Sequence, residues 1–136
     1  MPRRADAAVI VSRIFFSLTR SISVNPPYKS APTSAVALEL IAVMSFVVVS
    51  TSEGHPRNAS EIARHVGIPR ETVSRRLRTL IESGRIKLVD RRYVADLDFY
   101  DRLVNLPQVE EWFRLLDACA KQLADIRAAL RGRDAV

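Results

Sequence analysis

The chain has 136 residues, of which 48% are hydrophobic and 26% charged, which suits one folded domain and excludes a disordered or low-complexity chain. Its net charge is +6, and residues 57–92 hold ten Lys/Arg against four Asp/Glu, so the basic excess lies in one segment. Such clustering is the footprint of a polyanionic partner, and the single cysteine, Cys119, excludes an internal disulfide and suits a reducing cytoplasm.

A first helix is expected over residues 5–19, with Val9, Ile10, Ile14, Phe15 and Leu18 at apolar positions. Early arginines followed by apolar residues suggest a signal peptide. Arg13 interrupts the run, however, Asp6 lies in the basic region, and no clean small-residue cleavage site follows. Prolines 26, 27 and 32 mark a connection, and Pro32 suits the first turn of a second helix over residues 32–49. The run AVALELIAVMSFVVV within it is apolar nearly all round. At fifteen residues it is shorter than the ~20 that span a bilayer, and it contains Glu39, so a buried core helix is expected.

Gly54 and Pro56 then break the chain. Asn58 is placed to cap a short helix, with Glu61 three residues on to complete a capping box. Ile62, Ala63 and Val66 form its inner face, and Gly67 follows as a turn residue able to adopt the left-handed conformation. Ile68 plugs the gap between helices, and Pro69 opens the next one with its φ already set. Val73, Leu77, Leu80 and Ile81 share one face of that helix, and Ser83-Gly84 ends it. RIKLV and RRYVA are β-prone runs separated by Asp90-Arg91, a minimal hairpin without an Asn-Gly or Asp-Gly turn.

Residues 96–106 read as a connection with one helical turn before Pro107. A long helix follows over residues 107–131. Val109, Trp112, Leu116, Cys119, Leu123, Ile126 and Leu130 are spaced 3, 4, 3, 4, 3, 4, a heptad seam. A small domain has little with which to cover such a seam, so a second copy of the chain is expected there.

The helix over residues 69–82 carries side chains suited to DNA. Sequence is read by a few residues near the start of an inserted helix, while phosphates fix its register. Arg70, Glu71 and Arg75 are the expected base readers, since Arg grips guanine and an acidic group accepts from cytosine. Glu71 and Arg75 also stand at the spacing of an i,i+4 ion pair that touches no base. Thr72, Ser74, Arg76 and Arg78 are expected on the DNA backbone. So are Lys87, Arg91 and Arg92 of the hairpin, with Arg85 at its base.

The stretch EIARHVGIPRETVSRRLRTLIESGRI resembles the helix-turn-helix of bacterial winged-helix regulators. Its run G-I-P-R-E-T-V-S-R is similar to the recognition element of the cyclic-AMP receptor protein family, where the positions matching Arg70, Glu71 and Arg75 contact bases. That family's nucleotide-binding β-barrel has no counterpart before the motif, and Pro69 replaces its usual Ser or Thr. The order of elements resembles MarR-type regulators, homodimers with intertwined terminal helices. The resemblance implies a mainly α fold with a small β-hairpin. This is a winged helix-turn-helix (57–96) with N-terminal helices (1–56) and a C-terminal dimerisation helix (107–131). It implies a cytoplasmic transcription regulator that binds double-stranded DNA as a homodimer and responds to a small-molecule effector the sequence does not identify.

The alternative is a winged-helix module whose basic face meets an acidic protein partner; the arginines of residues 70–78 weigh against it. Cys119 lies on the apolar seam and reads as a packing group rather than a redox switch. His55 and His65 have no metal-site spacing, and no nucleophile–base pair or phosphate-cradling loop is present. No catalytic residue, metal, cofactor or membrane partner is expected.

Overall fold

The computed structural model describes residues 2–23, 27–103 and 106–135, without the side chains of residues 23, 103 and 108. Pro26 and residues 104–105 of the connection before Pro107 lie outside the described residues. The chain divides into two compact units, Met1–Ser21 with Leu103–Val136, and Ile22–Arg102.

The second unit is built on α2 (Ser34–Ser52), α3 (Ala59–Val66), α4 (Arg70–Glu82), the strands β1 (Ile86–Val89) and β2 (Arg92–Ala95), and α5 (Leu97–Leu103). A 3₁₀ turn at Tyr28–Ser30 precedes them. The helix α2 starts later than the prolines suggest. Thr33 caps it by accepting a hydrogen bond from the Val36 N–H at 3.2 Å, so Pro32 stands before the cap and outside the first turn. At 19 residues and a mean hydropathy of 2.0, α2 is long and apolar enough to cross a membrane by length and composition. Its inner face instead forms the centre of this unit. Leu40, Val43, Met44 and Val47 cluster with Ile62 of α3, Val73, Leu77 and Leu80 of α4, Ile86 and Ala95. Seven of these side chains are no more than 1% exposed, and burying each contributes roughly 1.5–3 kcal/mol.

The expected punctuation of α3 and α4 is present. Asn58 accepts from the Glu61 N–H at 2.9 Å, and its own N–H donates to Glu61 Oε1 at 3.3 Å. The Asn58 N–H, with a second bond from the Arg57 guanidinium, holds the Glu61 carboxyl below the usual carboxylate range. Gly67 ends α3 at φ 73°. The strands pair antiparallel with Val89 opposite Arg92, which leaves Asp90 and Arg91 as a two-residue turn. Their φ values of 49° and 65° are those of a type I′ turn, built here without glycine.

The hairpin is tied down at its base. Tyr93 N–H donates to the Arg57 carbonyl at 2.9 Å, and Ala95 N–H donates to Thr51 Oγ1 of α2 at 3.0 Å. After β2, the expected single turn is the seven-residue helix α5. Its Phe99 ring lies under the Arg85 guanidinium, 4.0 Å from the centroid.

The first unit is a helical pair. The helix α1 (Arg4–Ser23) runs antiparallel to α6 (Pro107–Asp134). Arg4 bonds Asp134 at 2.8 Å at one end, and Trp112 Nε1 donates to Ser21 Oγ at 2.7 Å at the other. Of the heptad seam, Val109, Cys119 and Leu130 are buried, Trp112, Leu123 and Ile126 are half-buried, and Leu116 is 37% exposed. The seam expected to meet a second copy is thus partly covered within the chain, because a helix some hundred residues earlier lies alongside it. Ile10 of α1 is buried as well.

One side of this pair is mixed in character, with Ile10 and Ile126 at the base of a groove rimmed by charged and polar side chains. Asp6, Val9 and Arg13 of α1 line it with Gln122 and Asp125 of α6. At about 100° per residue, Val11 and Phe15 of α1 and Phe113 and Leu116 of α6 point to the opposite side. They are 54%, 65%, 43% and 37% exposed.

Candidate nucleic-acid interface

The recognition surface follows from how α4 is seated. Its three fully buried residues, Val73, Leu77 and Leu80, fix which way the helix is turned. The residues opposite them, Glu71, Arg75, Arg78 and Glu82, are all exposed and recur at i, i+4, i+7 and i+11. Arg70, Glu71, Ser74, Arg75 and Arg78 together line an open groove of about 520 Å³ on this surface.

All three expected base readers therefore share one surface. Glu71 and Arg75 do not pair with each other; Arg75 donates instead to Thr72 Oγ1 at 3.4 Å, a long bond. The start of α4 is chemically open. Pro69 at its N-cap makes no side-chain cap, unlike Asn58 at the start of α3, so no side chain of the cap residue occupies the first backbone N–H groups.

Arg76 departs from the expectation. Its Nε donates to Glu39 Oε2 of α2 at 2.7 Å, and the two side chains are only 16% and 31% exposed. It stands three residues after Val73 and four before Leu80, which puts it at the inner edge of the helix, turned away from the groove. The sequence carried two signals for this: that spacing, and a lone carboxylate in an otherwise apolar helix that needs a partner when half-buried. Arg85 is likewise engaged, over Phe99.

On the hairpin, the register puts Lys87, Val89, Arg92 and Val94 on one face and Ile86, Leu88, Tyr93 and Ala95 on the other. Ile86 and Ala95 are buried, so Lys87 and Arg92 stand on the outer face, with Arg91 in the turn beyond them. All three cations are exposed.

Residues 57–87 match the winged helix-turn-helix DNA-binding family. The match begins at Arg57, whose carbonyl receives the wing, and runs through both helices into β1. The fold is a winged helix-turn-helix, and DNA binding in transcription regulation is the function class it carries. No curated protein and no solved structure matches the chain.

Among the described residues no cluster of His, Cys, Asp and Glu could hold a metal ion. His65 is exposed and stacks on Phe46 at 4.8 Å. Cys119 is 2% exposed, the setting of a packing group. Sequence reasoning missed the phenols Tyr28 and Tyr100, whose protons are both held above the usual range, first of all by burial.

Proposed function

We propose that the chain is a cytoplasmic, homodimeric, sequence-specific regulator of transcription that lays α4 in the major groove of double-stranded DNA. The observation that carries this is the shared surface of α4, where Arg70, Glu71 and Arg75 line one open groove beside an uncapped helix start. Arg70 and Arg75 donate to guanine, and Glu71 accepts from cytosine. Thr72, Ser74, Lys87, Arg91 and Arg92 bind phosphates on either side; Arg76, committed to Glu39, does not.

Dimerisation uses the side of the helical pair that carries Val11, Phe15, Phe113 and Leu116, because exposed apolar clusters of this kind mark association surfaces. Two copies then present two recognition helices, and the operator is palindromic. This layout is MarR-like, and a small-molecule effector belongs to the reading without an assigned ligand. The test is selection of bound sites from random duplex DNA, followed by affinity measured against salt. A palindrome with a steep fall in affinity supports the reading. Failure to shift any duplex at low salt refutes it.

A further inference from the structure

Arg78 reads from the sequence as a phosphate contact. Its place in the fold argues otherwise, and we infer that Arg78 is a base-reading side chain that extends the recognised half-site by one guanine. This rests on the reading of α4 as a DNA-recognition helix.

At about 100° per residue, Arg78 stands roughly 20° around the helix from Glu71 and 60° from Arg75. The open groove on α4 includes it with Arg70, Glu71, Ser74 and Arg75. Arg76, two residues earlier, is drawn to Glu39 on the other side of Leu77. Of the two arginines flanking that buried leucine, only Arg78 belongs to the exposed surface, and it makes no ion pair among the described residues.

The sugar–phosphate strands form the walls on either side of an inserted helix, and the base edges form the floor. Side chains on the flanks, such as Thr72 and Ser74, meet the walls, and the outermost stripe meets the floor. Arg78 is on the outermost stripe.

Seven residues separate Glu71 from Arg78, a rise of about 10.5 Å at 1.5 Å per residue, which is about three base-pair steps. A straight helix draws away from the floor over that distance, and the long arginine side chain spans the gap. Its planar fork fits guanine O6 and N7 bidentately. The next residue on the stripe is Glu82, which repels the phosphates, so the cationic part of the reading surface ends at Arg78.

The experiment compares wild type, Arg78→Ala and Arg78→Lys by site selection and by salt-dependent affinity. Melting curves check that each variant is folded. Wild type should select a guanine about three base pairs from the pair read by Glu71. Arg78→Ala should lose that preference by about tenfold or more while keeping preference elsewhere. Arg78→Lys should keep the charge and the salt slope and still lose discrimination at that one position. Uniform weakening on every sequence by Arg78→Ala, with a salt slope smaller by about 0.9, would make Arg78 a phosphate contact and overturn the inference. A wild type that selects no sequence overturns the parent reading too, and that outcome is distinguishable because no position then shows any preference.

Discussion

Replacing Arg76 by methionine separates an arginine that supports α4 from the arginines proposed to touch DNA. The substitution keeps the length and apolar stem of the side chain and removes the guanidinium that donates to Glu39 at 2.7 Å. An exposed ion pair contributes about 0.2–1 kcal/mol, and hydrogen bonds to charged groups about 1.5–3 kcal/mol. With side chains 16% and 31% exposed, this pair falls between those cases, so its loss should cost about 1.5 kcal/mol. In a chain of this size that is a fall in Tm of about 5 °C. The salt slope of DNA affinity should not change, because no phosphate contact is lost. Arg92→Ala should do the reverse, leaving Tm alone and reducing the slope by about 0.9. Adding Glu39→Leu to Arg76→Met should restore much of the lost stability, since two packed apolar groups replace a half-buried pair and no carboxylate is stranded. Thermal melts and binding isotherms at several salt concentrations decide the matter. An Arg76→Met protein that melts like wild type but has a slope smaller by about 0.9 would refute the assignment of Arg76 to α2.

Three further outcomes follow from particular positions. Arg91 occupies φ 65°, where a side chain is disfavoured. Arg91→Gly should therefore stabilise the wing by roughly 0.5–1 kcal/mol in a urea melt while weakening binding to matched and scrambled duplexes alike. Phe15→Glu and Leu116→Glu place a charge on the open side of the helical pair. Light scattering should show monomers that retain the helical signal, and a persistent dimer would rule out this side as the interface. Burial first, and then the neighbouring Tyr100 phenol, raise the Tyr28 phenol above its unfolded value near 10, with Arg85 acting the other way. Above pH ~10 the unfolded phenol loses its proton while the folded one keeps it, so stability falls as pH rises. Tyr28→Phe should flatten that fall in chemical melts between about pH 10 and 11.5, and an unchanged slope would show that other groups cause it.

The helix-turn-helix was legible because its signals are local. A capping box spans three residues, a left-handed glycine acts within its own turn, and Pro69 presets one φ. The buried stripe Val73, Leu77 and Leu80 could be read from spacing, and with it the outward stripe of Glu71, Arg75 and Arg78, although Ile81, expected on the buried face, is 38% exposed. The wing was legible as two β-prone runs, although Asp90-Arg91 is a weak turn signal; the hairpin's base is held by Arg57 and Thr51, far away in sequence. Spacing could also have placed Arg76 on the inner edge of α4. Nothing local named its partner, because Glu39 lies 37 residues earlier.

The heptad seam shows the same division more sharply. Its spacing announced that residues 109–130 need an apolar neighbour, and periodicity carries no information about whether that neighbour is another chain or a distant helix of the same one. The structure brings α1 alongside, with bonds from Arg4 to Asp134 and from Trp112 to Ser21, and the open apolar side moves to Phe15, Phe113 and Leu116. The sequence by itself determined the main helices and the hairpin, the punctuation of α3 and the basic face of α4, because propensity, capping and charge act over a few residues. Tertiary structure alone decided which arginines remain available for DNA and which apolar face remains uncovered, because both depend on contacts between residues far apart in the chain.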